Sequence, residues 1–128
     1  MNILDVDPTS LKEKLKGMDK LEAMFSLVQE QNFIFNKASI DTIIGQEEWR
    51  KILYFLVEEL FEAANCLKIR PWTQSEYAID YNHLYDELAD SIWFFVCLLI
   101  KSGLDPEKTF DIFLRKYLVN EFRRKSGY

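Results

Sequence analysis

The stretch "YFLVEELFEAAN", residues 54–65, decides the fold: Glu59 and Glu62 stand three residues apart in a run that is otherwise mostly apolar. At about 100° per residue, that spacing places both carboxylates on one side of a helical turn. A second stretch, "YDELADSIWFF", residues 85–95, repeats the arrangement with Glu87 and Asp90. A carboxylate among apolar neighbours is costly unless a positive charge compensates it. Two such pairs facing each other across packed helices repel, and a divalent cation such as Mg²⁺ is the simplest group that removes the repulsion.

The first pair is a trio. Glu58, Glu59 and Glu62 span roughly 100° of helical arc. Two of them suffice as oxygen ligands, which leaves one carboxylate to orient or deprotonate a water. Asp86 stands beside the second pair. A single E-x-x-E is more often a solvated face of an amphipathic helix. Here Leu56, Val57, Leu60 and Phe61 flank one pair and Leu88, Ile92, Trp93, Phe94 and Phe95 the other, and these neighbours are expected to leave little room for such a face.

A chain of 128 residues is expected to form a single domain, residues 1–128. Ten Phe, six Tyr and three Trp supply a bulky core, and only four Gly and three Pro argue against a sheet rich in tight turns. A net charge of −5 argues against non-specific nucleic-acid binding, so a phosphate compound would be held through metal and a local basic patch. Cys66 and Cys97 lie far apart in apolar helical stretches and read as reduced core residues of a cytoplasmic protein. The opening "MNILDVDPTS" has neither the basic nor the apolar region of a signal peptide, and the apolar run from Ile92 to Ile100 is too short to span a bilayer. No membrane partner is expected.

Working outward, the chain reads as helices with short connections. Asp7-Pro8-Thr9 opens a short amphipathic helix that ends at Gly17. Asp19 starts the next, running to about Asn36. Residues 37–45 form a loop or irregular segment broken at Gly45, and a third helix runs from Glu47 to about Lys68. Pro71 disfavours helix at Arg70. The fourth helix runs from about Tyr77 to Ser102, with Gly103 as its stop. Asp105-Pro106-Glu107 starts the last helix, which continues to about Arg124. The fold class expected is an all-α bundle of four to five helices, with a carboxylate metal site between two central ones. His83 is the only histidine and the Glu-x-x-His pattern of a di-iron site is missing, so all-oxygen ligation points to Mg²⁺, with Mn²⁺ as the other choice.

The last helix, "FLRKYLVNEFRRKSGY", is basic in an otherwise acidic protein. Lys116, Asn120 and Arg123 share one face, which suits a polyphosphate: lysine as a point charge, arginine as a fork. Cations at a helix C-terminus also complement the helix dipole, which accounts for Arg123 to Lys125 but not for Lys116 and Asn120.

E-E-x-x-E followed by E-x-x-D on the next helix resembles the signature of the all-α nucleoside triphosphate pyrophosphatases, the MazG-like superfamily. The ending K-x-x-x-N-x-x-R-x-x-x-G-Y, here Lys116, Asn120, Arg123, Gly127 and Tyr128, looks like that of the dimeric dUTPase branch, as does an aromatic, Trp72, in the loop after the first acidic helix. The resemblance covers roughly residues 18–128. It departs from the branch at Trp93, where a histidine is common, and in the short connection "KSGLDPEKTF".

What the resemblance implies is hydrolysis of a deoxynucleoside triphosphate, dUTP, to the monophosphate and pyrophosphate. Glu59, Glu62, Glu87 and Asp90 would hold Mg²⁺, Glu58 or Glu59 would activate water, and Lys116, Asn120, Arg123 and Tyr128 would contact phosphates and sugar. Gln29, Asn32 and Asn36 lie on one helical face and would read a pyrimidine edge, with Trp72 stacking on the base. Members of the superfamily are usually dimers or dimers of dimers, and the aromatic excess here agrees with an obligate interface of a homodimer or higher homo-oligomer. Two alternatives stand beside this reading. One is a pyrophosphatase preferring dCTP or acting on several dNTPs; the other is a non-catalytic helical interaction module.

Overall fold

The computed structural model describes residues 1–31, 38–67 and 78–127. All regular structure among them is helical: a 3₁₀ turn at Ile3–Asp5, then α1 (Thr9–Lys14), α2 (Lys20–Glu30), α3 (Ile43–Asn65), α4 (Tyr81–Lys101) and α5 (Pro106–Lys125). This is the all-α bundle expected from the sequence, with a cluster of carboxylates between two of its helices. No helix of the described residues is long and apolar enough to cross a membrane.

Local chemistry sets most helix starts. The Asp19 side chain accepts from the Glu22 N–H at 3.0 Å and opens α2; Asp105 accepts from the Lys108 N–H at 2.8 Å and opens α5, with Pro106 behind it. Gly17 and Gly103 follow helix ends with φ of 93° and 84°, left-handed values that favour glycine.

Two helix starts differ from the sequence expectation, and α2 ends at Glu30 rather than near Asn36, which lies outside the described residues. Helix α3 begins at Ile43 rather than Glu47, and Gly45 lies inside its first turn instead of breaking the chain. The Thr42 hydroxyl accepts from the Gly45 N–H at 3.1 Å, so the cap comes before the glycine. Gly45 is buried, and a Cβ there would overlap the carbonyl of Ser39; the glycine serves a close backbone approach, not a turn. Helix α4 begins at Tyr81 rather than Tyr77, because Asp80 caps it: its carboxylate accepts from the His83 N–H at 3.1 Å and meets the His83 ring at 2.8 Å.

Helices α3 and α4 form the main packed pair. Lys101 meets Glu48, Ser102 meets Trp49, and Phe94 meets Phe55, so contacts run in opposite order along the two chains and the pair is antiparallel. Ile52 and Leu56, one turn apart on α3, face α4. On α4, Val96, Cys97 and Leu98 are buried in succession and cover roughly 200° of arc. That is possible because α2 closes the other side of this end of α4 with Phe25 and Val28. Burial pushes the Cys97 thiol up to about 11, and neither it nor Cys66 is in a disulfide.

The core therefore occupies the half of the hairpin nearest Glu48 and Lys101. Among the described residues the other half of α4 is met by the 3₁₀ turn Ile3–Asp5. Leu60, Phe61, Leu88, Ile92 and Phe95, whose apolar character suggested burial around the carboxylates, are each more than 40% exposed. Helix α5 packs against α2 near its start and buries none of its residues.

Candidate metal centre

One turn beyond Leu56 the antiparallel pairing brings Glu59 of α3 opposite Glu87 and Asp90 of α4. One oxygen from each of these three carboxylates lies within 4.8 Å of the others. Glu59 and Glu87 are half-buried and Asp90 is exposed. The cluster thus sits at the edge of the core, where the chain's own packing limits water on one side only.

The charges strain one another. Glu59 is pushed up to about 8, first by a hydrogen bond with the Glu87 carboxyl, then by burial and by the charges of Glu62, Glu87 and Asp90. Glu62 is raised, chiefly by a hydrogen bond and charge repulsion from Glu87, with Glu58 adding to it. Asp90 is raised by burial, by Asp86 and by Glu87. Without a cation, the carboxyls of Glu59, Glu62 and Asp90 therefore keep a proton to higher pH than ordinary carboxyls do.

Can such a set hold a metal? Mg²⁺ takes oxygen ligands at about 2.1 Å in an octahedron, which places ligating oxygens about 3 Å apart when adjacent and about 4.2 Å apart when opposite. Oxygens within 4.8 Å of one another need only side-chain adjustment to reach that spacing. The donor set is all carboxylate, hard and anionic, and it fits a hard divalent cation.

Ser91 was not singled out by sequence. It is buried, and its hydroxyl donates to the Glu87 carbonyl oxygen at 2.8 Å. A hydroxyl bonding back one turn satisfies its own polar group within α4, on the turn that carries Glu87 and Asp90. Its signal in the sequence was a small polar residue four positions after Glu87 inside an apolar run.

The other predicted residues fall elsewhere. Glu58 and Glu62 are exposed on the same side of α3 as Glu59. Gln29 is exposed on the last turn of α2. Lys116, Asn120 and Arg123 are exposed on α5, whose packing partner is α2 rather than the α3–α4 pair. Asn32, Asn36, Trp72 and Tyr128 lie outside the described residues. A cleft of about 620 Å³, lined by Trp49, Arg50, Leu53 and Tyr54 among others, lies toward the Glu48–Lys101 end of the hairpin, away from the carboxylates.

Comparison with protein-family models, curated proteins and solved structures returns no match for this chain.

Proposed function

We propose that the chain is a cytoplasmic, Mg²⁺-dependent nucleoside triphosphate pyrophosphatase that converts dUTP to dUMP and pyrophosphate. The observation that carries this reading is the convergence of Glu59, Glu87 and Asp90 oxygens, within 4.8 Å, from two helices that have no cation of their own at that point. The E-E-x-x-E and E-x-x-D spacing, and the basic ending of α5, support the same reading.

In this reading Glu59, Glu62, Glu87 and Asp90 hold Mg²⁺, with Mn²⁺ as a substitute. Held there, the cation would supply charge neutralisation to the triphosphate oxygens. The protein supplies position and proton handling. Glu58 or Glu59 would orient the attacking water and accept its proton. Lys116, Asn120, Arg123 and Tyr128 bind phosphates and sugar, and Gln29, Asn32, Asn36 and Trp72 bind the base. The working particle is a homodimer or higher homo-oligomer.

The test is pyrophosphate release from dUTP, dCTP, dTTP and dATP, with Mg²⁺ and with EDTA. Mg²⁺-dependent release confined to dUTP is expected. Release from dCTP or from several substrates would keep the chemistry and change the specificity. No release from any of them by folded protein would overturn the reading. The competing reading, a non-catalytic helical interaction module, draws on the exposed aromatic residues of α3 to α5. It predicts that Glu59→Ala changes nothing measurable with metal.

A further inference from the structure

Along the first half of α3, Gln46, Trp49, Arg50, Leu53 and Tyr54 follow at spacings of three, one, three and one, so they share one face of the helix. With Ile40 before the helix and Ser102 after α4, that face lines the cleft of about 620 Å³. Sites for small ligands typically take about 300–1,000 Å³. Ile40, Trp49 and Leu53 are half-buried and form an apolar floor, whereas Gln46, Arg50 and Tyr54 are exposed and form the rim. Arg50 stands nine residues before Glu59. That is roughly 14 Å along the axis and about 180° around it, so the cleft and the carboxylate cluster occupy opposite sides of α3.

Three features of the lining select a ligand. The first is an aromatic wall held in place. The Trp49 indole N–H donates to the Ser102 hydroxyl at 2.9 Å, and that hydroxyl donates to the Leu98 carbonyl at 2.7 Å. The polar atoms of the wall are thus satisfied within the protein, and what Trp49 offers the cleft is ring surface, which favours a stacked or edge-on aromatic group. The second is charge. In a chain with 21 acidic and 16 basic residues, Arg50 is the sole charged group among the described residues that line the cleft, and no carboxylate among the described residues pairs with it. A guanidinium presents a planar fork that matches the paired oxygens of a carboxylate or phosphate. The third is Gln46, one turn before Arg50, whose amide both donates and accepts. We propose that this cleft is a second binding site, for a small planar aromatic anion: a ring system that packs on Trp49 and Leu53 and carries one carboxylate or phosphate to Arg50. The inference does not depend on the catalytic reading.

The test is a titration of the full chain in EDTA with naphthoate, naphthyl phosphate and neutral naphthol. The readout is the Trp49 indole N–H resonance of isotope-labelled protein, assigned with Trp49→Phe. At least one of the two anions is expected to shift it saturably with a Kd of about 1 mM or tighter, and naphthol at least tenfold more weakly. The tighter of the two anions identifies the group that Arg50 takes. Arg50 is exposed, so Arg50→Gln leaves the fold intact; it is expected to weaken the bound anion at least tenfold and leave naphthol unchanged. Lys51→Gln, at the next exposed position of α3 but outside the cleft, is expected to change neither. No saturable shift with either anion would overturn the proposal. So would naphthol binding as tightly as the anions, or an anion affinity that survives Arg50→Gln. Each of these failures leaves the carboxylate cluster and its metal untouched.

Discussion

The Lys101 ammonium lies 3.2 Å from the Glu48 carboxylate and donates to the Ala38 carbonyl at 2.7 Å, with the two side chains only 4% and 12% exposed. This buried pair ties the end of α4 to the start of α3 and to the segment before it. Beside it, the Trp49 indole N–H donates to the Ser102 hydroxyl at 2.9 Å. The hairpin is thus fastened by polar groups at one end and opens toward an all-carboxylate cluster at the other, with the apolar core between them.

Removing one member of the fastening leaves the other charged and buried. Lys101→Met is expected to destabilise the fold by about 3–5 kcal/mol in urea titration. Replacing both, Lys101→Met with Glu48→Leu, is expected to recover most of that loss, because neither charge of the pair is then buried without the other. A single substitution costing under about 1 kcal/mol, the range of an exposed pair, would show that water reaches this site.

Gly45→Ala is expected to run against the usual sign. In an exposed helix interior, alanine is better than glycine by about 1 kcal/mol. Here the added Cβ meets the Ser39 carbonyl, backbone that cannot simply rotate away. A net destabilisation of about 1–3 kcal/mol follows, the range for overpacking. An unchanged or raised melting temperature for Gly45→Ala would mean that the segment around Ser39 yields freely.

The fate of Gly45 also marks the boundary of what the sequence made legible. Helix starts at Asp19 and Asp105-Pro106 were readable because a cap is made within three residues. The role of Gly45 was not, since a glycine that ends a helix and one that admits a neighbouring strand of backbone look alike in sequence. Asp80 was missed as a cap in favour of a helix already under way at Tyr77. That the carboxylates of the third and fourth helices meet was readable from their spacing. The environment of Leu60, Leu88 and Ile92 was not: periodicity says which residues are apolar together, not whether this chain or another molecule covers them. The position of α5 against α2 is a long-range outcome that no local spacing encodes.

Stability without metal is expected to fall as pH rises. Glu59 titrates near 8 in the fold against an ordinary 4.5. Between those values the folded chain keeps a proton that the unfolded chain has released, so the folded state binds more protons and loses stability as pH increases. Glu62 and Asp90 are raised as well and act with the same sign. In EDTA, the melting temperature is expected to be lower at pH 8 than at pH 5.5. A melting temperature that climbs across this window would show that the carboxylates do not repel as their geometry requires. Saturating Mg²⁺ is expected to flatten or reverse the slope, because the cation binds the deprotonated groups.

Glu87→Gln separates the electrostatic role of this carboxylate from its role as ligand. Glu87 is the neighbour that does most to raise both Glu59 and Glu62. Without metal, an amide there removes a charge and supplies N–H donors to its neighbours, so the apo protein is expected to melt at a higher temperature than wild type at pH 8. With metal, the same change removes a hard anionic ligand. The Mg²⁺ dissociation constant is then expected to rise at least tenfold, about 1.4 kcal/mol, and the Mg²⁺-induced rise in melting temperature to shrink accordingly. Thermal melts of both proteins across a Mg²⁺ titration read the two effects in one experiment. If Glu87→Gln stabilises the apo protein but leaves the Mg²⁺ response intact, the cluster repels as described and the cation binds through other groups. If it lowers the apo melting temperature, Glu87 does not repel Glu59 and Glu62 as described.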